Sequence, residues 1–356
     1  MLDDASIPVK TSFSAMAQMS KRRLRKCRVF DQVIPLFAIF AVTGCGTSVL
    51  GQGGPTTFAL YAATGNGLSL STSGGTSWTN FTTAQGLGGN VVNGVCTAAN
   101  GLAISIYAAT SGGLSVSGNS GATWTTYFSG TPINGVSEVG SGSTATICAT
   151  SISSVWVSGN GGFTWIPNNL GGAAIYGAFV IVSGTTTVFA STNAGVFVSP
   201  DGGNTWPVVF NTANGLASNN VYAVYAIGSA PPFTIYAATD SGVSISTNGG
   251  TNWTNYSYTG TNSGPASNII QGIYASGTNI YAATNAGLSI STDGGITWTN
   301  FAVASNNVLG IFVSSSTIFA STDAGLSVSG NSGLTWQTYT TANGLGSNLV
   351  HGVAVQ

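Results

Sequence analysis

The stretch IYAATNAGLSISTDGGITWTNF, residues Ile280–Phe301, is the clearest copy of a pattern that fills the chain from Phe58 to its end. Each copy carries one marker tryptophan: Trp78, Trp124, Trp165, Trp206, Trp253, Trp298 and Trp336. Successive markers are 46, 41, 41, 47, 45 and 38 residues apart, which is the usual length of a four-stranded propeller blade. Seven copies in one register predict seven similar units over residues 58–356.

Each copy contains four short runs rich in Val, Ile, Tyr, Phe and Thr, separated by Gly, Asn, Asp and Ser, as expected for strands and turns. In the sixth copy we predict strands at Ile280–Thr284, Gly287–Ser291 and Thr297–Phe301, and the next inner strand at Asn307–Val313. One such sheet cannot bury both of its faces, so the sheets must stack radially. The sequence therefore predicts an all-β fold, a seven-bladed β-propeller of four-stranded blades.

The phase of the repeat predicts how the ring closes. The first copy begins at Phe58 with a run of the second-strand type, FALYAAT, and the chain ends with an unmatched inner-type run, Leu349–Gln356. Pairing these two runs completes one sheet from both ends of the chain. We therefore expect the C-terminal inner strand to pair with the N-terminal blade, which hides the edges that an open array would expose.

The turn before each marker tryptophan is the strongest motif: STSGGTSW, SGNSGATW, SGNGGFTW, SPDGGNTW, STNGGTNW, STDGGITW and SGNSGLTW. It resembles the Asp-box, or bacterial neuraminidase repeat. The carboxylate is kept at Asp201 and Asp293 and replaced by an amide at Asn119, Asn160, Asn248 and Asn331. An Asx side chain that bonds nearby N–H groups, a glycine with positive φ and a packed tryptophan explain these residue types. We predict structural turns, with no metal and no other cofactor.

Two wider resemblances bear on the class of protein. The segment TTANGLGSNLVHGV (Thr340–Val353) is similar to the GL-x-x-N-x-V repeats of sensor propellers in two-component regulators. The chain as a whole is similar to lipoprotein-type Asp-box propellers, among them photosystem II assembly factors and sortilin-like repeats. Those assembly factors present a basic patch, whereas no Lys or Arg follows Arg28 here. The resemblance therefore implies the fold rather than a role in photosystem assembly.

The N-terminal segment has the layout of an export signal. All basic residues lie in the first 28 positions: Lys10, Lys21, Arg22, Arg23, Arg25, Lys26 and Arg28. The apolar run Val33–Val42 follows them, too short to span a bilayer but typical of a signal peptide. Val42-Thr43-Gly44-Cys45 resembles a bacterial lipobox, which implies lipidation of Cys45; a plain cleaved signal is the alternative. Initiation at Met19 would give a signal of ordinary length.

These features predict a signal over residues 1–45, a flexible linker over 46–57 and the propeller over 58–356. The protein is expected to be exported and lipid-anchored to the cell envelope, in the periplasm or at the surface, or alternatively secreted. Beyond the signal the only charged residues are acidic: Glu138, Asp201, Asp240, Asp293 and Asp323. A surface without cations argues against binding nucleic acid or anionic membranes, and so few ionisable groups predict tolerance of acid.

Several catalytic chemistries are disfavoured. A sialidase needs an arginine triad, and arginine is absent beyond the signal. Asp240 and Asp323 lie on equivalent turns two blades apart, on the order of 15 Å from each other, which is wide for a glycosidase pair. A single histidine, His351, does not make a nucleophilic triad. Cys96 and Cys148 occupy positions where sister repeats have tyrosine, so we expect buried thiols rather than a disulfide.

One variable position at the start of the inner strands is the candidate binding site. This inner-strand column comprises Asn93, Asn134, Tyr176, Tyr222, Gln271, Leu309 and His351. Ring geometry places it at the channel mouth that the loop Tyr256–Asn268 borders. Uncharged amides and tyrosines suit a neutral sugar or a peptide backbone, although water-bonded channel side chains explain them as well.

The preferred interpretation is a non-enzymatic binding or scaffold protein whose partner is a protein or a neutral polysaccharide, with no nucleic-acid partner and no membrane contact except through Cys45. A glycan hydrolase or lyase that uses Glu138 or Asp240 is one alternative. A structural envelope or matrix protein is the other.

Overall fold

The computed structural model describes residues 59–261 and 263–356, and they form seven four-stranded antiparallel sheets. The predicted signal, its lipobox Cys45 and the linker 46–57 lie outside the described residues. We number the blades along the chain, so that blade 1 contains the first described strand. Among the described residues, no helix is long and apolar enough to cross a bilayer.

Every blade uses its strands in the order inner, second, third and outer. The inner strands are β4 (Val92–Asn100), β8 (Gly135–Val139), β12 (Ile175–Ser183), β16 (Val221–Ile227), β20 (Ile270–Ser276), β24 (Val308–Ser314) and β28 (Val350–Val355). The second strands are β1 (Leu60–Thr64), β5 (Ala103–Thr110), β9 (Thr146–Thr150), β13 (Thr185–Thr192), β17 (Thr234–Thr239), β21 (Asn279–Thr284) and β25 (Thr317–Thr322).

The third strands are β2 (Gly67–Ser71), β6 (Gly113–Ser117), β10 (Val155–Ser158), β14 (Gly195–Ser199), β18 (Gly242–Ser246), β22 (Gly287–Ser291) and β26 (Gly325–Ser329). The outer strands are β3 (Thr79–Phe81), β7 (Thr125–Tyr127), β11 (Ile166–Asn168), β15 (Val208–Phe210), β19 (Thr254–Tyr256), β23 (Thr299–Phe301) and β27 (Gln337–Tyr339). The 3₁₀ turns are Thr83–Gln85, Gly142–Thr144, Thr212–Asn214 and Thr341–Asn343.

The ring closes as the repeat phase predicts. Strand β28 pairs with β1 in blade 1, with Leu60 opposite Val355. The backbone of Ala59 exchanges two hydrogen bonds with Gln356, at 3.1 and 3.0 Å. Each inner strand also contacts the inner strand of the next blade, including β24 with β28 and β28 with β4. The described residues are thus a seven-bladed β-propeller, and the prediction of fold class is confirmed.

The predicted strands of the sixth copy are close to the observed ones. Gly287–Ser291 is reproduced, and the second strand begins one residue earlier, at Asn279. The outer strand begins at Thr299 rather than Thr297. The reason is local, because the N–H of Thr297 donates to the Asp293 carboxylate at 2.9 Å, which keeps that residue in the turn instead of the ladder.

The core lies between neighbouring blades. One apolar cluster joins Phe189 of blade 4, Tyr236 of blade 5 and Ile280 of blade 6, and another joins Tyr107 of blade 2 to Ile147 of blade 3. Each blade therefore buries its two sheet faces against its neighbours, which is the stacking that the repeat requires.

The glycine that starts most third strands permits close contact with the outer strand. In blade 2, Gly113 has φ +140°, and a Cβ on it would lie 2.6 Å from the carbonyl oxygen of Tyr127. Beside it, the Thr110 hydroxyl donates to the Gly113 carbonyl at 2.7 Å. The same threonine-to-glycine bond recurs at Thr64, Thr192, Thr239, Thr284 and Thr322.

The antiparallel order gives the ring two distinct faces. The upper face carries the turns between second and third strands and the links between blades. The lower face carries the turns between inner and second strands and the turns between third and outer strands. Hydrogen bonds join the two kinds of lower turn, for example from Gly294 N to Thr278 O at 3.0 Å.

Candidate functional site

The inner-strand column lies at the upper mouth and is held there by β-bulges. The register of the inner strand slips between Val92 and Gly94 in blade 2, and the same slip occurs at the column residue in blades 4, 5, 6 and 7. In blade 1, Val350 and Gly352 pair with β1 and His351 is skipped. A bulge releases one residue from the alternation of the strand and turns its side chain in a new direction. These bulges therefore set the column apart from the rest of each inner strand.

Four polar members of the column donate hydrogen bonds to the next blade around the ring. Asn93 Nδ2 donates to Ile133 O at 2.8 Å and Asn134 Nδ2 to Ile175 O at 3.4 Å. Gln271 Nε2 lies 3.0 Å from Val308 O, and His351 Nδ1 lies 2.7 Å from Val92 O. In all four cases the acceptor precedes the column residue of the next blade. These side chains join neighbouring blades.

Burial divides the column. Asn93, Tyr176, Leu309 and His351 are buried, whereas Asn134, Tyr222 and Gln271 are partly exposed. Burial lowers the pKa of His351 although its hydrogen bond to Val92 opposes the shift. The imidazole is therefore held neutral. Since Asn134, Tyr222 and Gln271 keep exposed surface, they are the column members that a ligand at the mouth could touch.

Blades 4 and 5 place two tyrosines side by side at the mouth. The ring centroids of Tyr176 and Tyr222 are 5.5 Å apart. Asn220 Nδ2 donates to Tyr222 Oη at 3.0 Å and to Asp240 Oδ2 at 3.1 Å. Burial, reinforced by the charge of Asp240, raises the pKa of both phenols. They remain protonated at neutral pH and can donate hydrogen bonds.

Blades 6 and 7 carry a related network. Gln271 Nε2 donates to Asn307 Oδ1 at 2.7 Å, and Asn307 Nδ2 donates to Asp323 Oδ2 at 3.0 Å. Asn307 precedes its inner strand as Asn220 does, and Asp323 occupies the turn that corresponds to Asp240. The arc of the mouth over blades 4 to 7 is thus lined by phenols, amides and two carboxylates.

A belt of aromatic side chains lies deeper in the same four blades. Phe179, Tyr225, Tyr274 and Phe312 occupy one position of consecutive inner strands, three residues after the column, and neighbouring ring centroids are 5.1, 5.2 and 6.1 Å apart. The other three blades have Cys96, Ser137 and Ala354 there. The ring is therefore asymmetric, with its aromatic side beneath the polar arc.

Sequence reasoning missed Asn220 and Asn307. Each lies two residues before a column residue, in the blades that carry Asp240 and Asp323. An asparagine in one turn accompanied by an aspartate in the neighbouring turn of the same blade is visible in the repeats. Only the fold shows that these two turns meet.

The seven turns before the marker tryptophans, called the tryptophan turns below, lie on the lower face and bond within themselves. In every copy the serine that ends the third strand accepts from a glycine N–H of the turn, at 2.7–2.8 Å. In six copies the Oδ1 atom of the Asn or Asp in the turn accepts from the backbone N–H four residues later. These residues are Asn119, Asn160, Asp201, Asn248, Asp293 and Asn331.

The two carboxylates of these turns, Asp201 and Asp293, accept hydrogen bonds from the N–H and the hydroxyl of Thr205 and Thr297. Bonds from Thr205 and Thr297 lower the pKa of Asp201 and of Asp293 to about 2. Local turn bonding therefore accounts for the polar atoms of this motif, in keeping with a structural role.

The remaining candidate groups are apart from the mouth networks. Glu138 is buried within β8 of blade 3. Cys96 and Cys148 are both buried and neither forms a disulfide, and burial raises the pKa of the Cys148 thiol well above its usual range. Among the described residues, no three His, Cys, Asp or Glu side chains are grouped as metal ligands.

Comparisons with known proteins support the architecture and go no further. No protein-family model matches the chain, and no curated protein matches it. The extracellular domain of a protein described as a hybrid two-component system, from B. thetaiotaomicron, superposes with a TM-score of 0.56 at 19% identity, over 71% of this chain and 34% of that one. A GH74 enzyme from Niastella koreensis gives 0.54 at 16% identity, over 79% and 52%. The fold is shared.

A computationally designed protein, Ika8, gives a TM-score of 0.51 at 10% identity, covering 76% of this chain and 79% of the designed one. The propeller spans about a third and about half of the lengths of the first two proteins. At these identities the likeness concerns the fold alone, so the function has to be argued from the mouth.

Proposed function

We propose that this chain is an exported, non-enzymatic binding module that takes a neutral glycan at the upper mouth, over blades 4 to 7. The observation that carries the proposal is the pairing of Tyr176 and Tyr222, 5.5 Å between ring centroids, beside amide and carboxylate groups. Sugar rings present apolar C–H faces that pack on aromatic rings and hydroxyls that need polar partners. An uncharged polysaccharide needs no cation for recognition.

The polar groups of the mouth supply both hydrogen-bonding roles. The phenol of Tyr222, which keeps exposed surface, donates, and the carboxylates of Asp240 and Asp323 accept from hydroxyl groups. Asn220 Oδ1 is buried and accepts no hydrogen bond from any described residue. A buried acceptor without a hydrogen bond destabilises the protein. A ligand hydroxyl that donated to this oxygen would remove that cost, and the binding free energy would become more favourable by the same amount.

The hydrogen bonds of the carboxylates favour a role in binding over acid–base catalysis. In blade 5, Asp240 accepts from Asn220 and, at 3.1 Å, from the Ser241 hydroxyl. In blade 7, two blades further along the ring, Asp323 accepts from Asn307. A glycosidase needs one carboxylic acid and one carboxylate facing the same bond. Each carboxylate here belongs to its own blade and its own network.

The proposal is tested on the full chain with a panel of neutral polysaccharides, by scoring bound polysaccharide and released sugar together. We expect binding without release. Tyr222→Ala should weaken binding at least about tenfold, the factor given by 1.4 kcal/mol, and Tyr222→Phe should retain most of it because the aromatic face remains. Leu334→Ser on the lower face is the matched control and should bind as the parent does.

Two results would overturn the proposal. If no polysaccharide of the panel binds, a neutral glycan is excluded and a protein partner is favoured. Binding that Tyr222→Ala leaves intact would exclude this part of the mouth. Melting temperatures of all variants separate loss of the site from loss of the fold.

A glycan-cleaving enzyme is the second candidate, and the carboxylates of Asp240 and Asp323 on the upper face are the observation in its favour. A GH74 enzyme shares the fold. Sugar release that Asp240→Asn abolishes while binding persists would establish this activity in place of the first proposal.

A further inference from the structure

The lower face of the ring carries most of the large apolar side chains that are exposed. Of the nine such residues in the described part of the chain, seven lie at lower-face turns or at the lower ends of strands: Leu102, Phe163, Ile166, Val182, Val208, Ile296 and Leu334. The upper face has Ile152 and Tyr258. Exposed apolar residues are ordinary when scattered, but here seven of the nine lie on one side of the ring.

Four of these side chains project furthest and are called the apolar tips. Their relative exposures are 109% for Leu102, 81% for Leu334, 77% for Phe163 and 66% for Ile296. Phe163, Ile296 and Leu334 occupy the same position of the tryptophan turn, two residues before the marker tryptophan, and Leu102 lies in the turn before β5. The tips belong to blades 2, 3, 6 and 7, so they are spread around the ring rather than gathered into a groove.

The chain enters the ring on this same face. Ala59 precedes β1, a second strand, and second strands begin at the lower face. Thirteen residues separate Ala59 from Cys45, and such a stretch spans at most about 45–50 Å when extended. A group attached at Cys45 is therefore joined to the ring on its lower face and can lie at most about 50 Å from Ala59.

We propose that the lower face rests on a lipid bilayer, with the four apolar tips inserted among the headgroups and the upper mouth directed away from the membrane. This contact goes beyond the attachment through Cys45 that the sequence predicts. Tips on four separate blades can reach a flat surface together, whereas a peptide ligand would need a continuous groove. No Lys or Arg follows Arg28, and Asp201 and Asp293 lie on this face. Attachment therefore depends on apolar insertion and not on attraction to anionic lipid.

The test uses the tryptophans as built-in probes. The seven marker tryptophans lie at the lower ends of the blades, and no tryptophan precedes Trp78. The full chain is mixed with phosphatidylcholine vesicles that contain brominated acyl chains, and quenching of tryptophan fluorescence is measured. Binding through the N-terminal segment alone would sediment the chain with vesicles without bringing the tryptophans to the lipid.

We expect quenching in the parent chain and at least about tenfold weaker partitioning in the combined variant Leu102→Ser, Phe163→Ser, Ile296→Ser and Leu334→Ser, because burial of even one large apolar side chain changes a partition constant by about that factor. The matched control, Ile152→Ser with Tyr258→Ser on the upper face, should be quenched like the parent. Both variants should keep the fold because the replaced side chains are exposed, and circular dichroism checks this.

No quenching in the parent, or equal quenching in the tip variant, would overturn the proposal. Association of the parent into a dimer without vesicles, lost in the tip variant and accompanied by no quenching, would assign the tips to a second copy of the chain. The proposal does not rest on glycan binding at the mouth, so the two can fail separately.

Discussion

Replacement of Trp298 by Ala tests whether the tryptophan turns hold the blades together. Trp298 is 1% exposed and is the only fully buried marker tryptophan among the seven. Its Nε1 donates to Gly295 O at 2.8 Å, and its ring lies 6.4 Å from that of Tyr256. Loss of a buried tryptophan side chain costs about 3–5 kcal/mol through lost burial and the cavity that remains.

For a domain of about 300 residues the entropy of unfolding is roughly 0.6 kcal/mol per kelvin, so this loss lowers the melting temperature by about 5–8 °C. The measurement is thermal unfolding followed by near-ultraviolet circular dichroism. Trp206→Ala is the matched control, because Trp206 is partly exposed and its Nε1 has no hydrogen-bond partner among the described residues. Its expected decrease is about half as large. An equal or smaller decrease for Trp298→Ala would refute the argument that burial and the indole hydrogen bond make this turn the strongest.

Three further outcomes are expected. Burial lowers the pKa of His351, so as the pH falls the imidazole is protonated in the unfolded chain before it is protonated in the folded one. In a chain otherwise expected to tolerate acid, the unfolding free energy in urea should therefore fall by this one group's contribution as the pH drops below about 6.5. His351→Asn, which can keep the bond to the next blade, should flatten that fall, and an unchanged pH dependence would contradict the assignment of the fall to His351. Asp201→Asn should leave the melting temperature at pH 7 within about 1 °C of the parent, since Asn119 bonds to the corresponding serine and threonine of its own turn. A clear decrease would show that the charge of the carboxylate stabilises the turn. Gly113→Ala should lower the unfolding free energy by at least about 2 kcal/mol because of the positive φ of Gly113 and the nearby carbonyl oxygen of Tyr127. Gly118→Ala, with open space around its added Cβ, should leave the unfolding free energy nearly unchanged. Similar losses in the two variants would argue against the steric explanation.

The number of blades, the strand order and the closure of the ring could be predicted because each depends on information that repeats along the chain. The spacing of marker tryptophans gives the blade length, and the unmatched run at Leu349–Gln356 gives the closing strand. The outer strand of blade 6 was predicted two residues too early, since Thr297 is of a strand-forming type but bonds to Asp293 instead.

The mouth could be predicted only in part. The sequence located the variable column at the start of the inner strands, but it did not show that Asn93 and His351 are buried and bonded to the next blade. That outcome follows from the bulges between inner and second strands, which turn these side chains out of the alternation of the strand. Asn220 and Asn307 were missed because their partners, Asp240 and Asp323, lie 20 and 16 residues further along the chain.

The repeat, its turns and the all-β ring follow from the amino-acid sequence alone, because they depend on local hydrogen bonding and on the apolar pattern of single strands. Which polar side chains meet at the mouth, and on which face the apolar tips lie, depends on how the blades pack in the folded ring. Those relations join residues of different turns and different blades, and they exist only when the sheets have stacked and β28 has paired with β1.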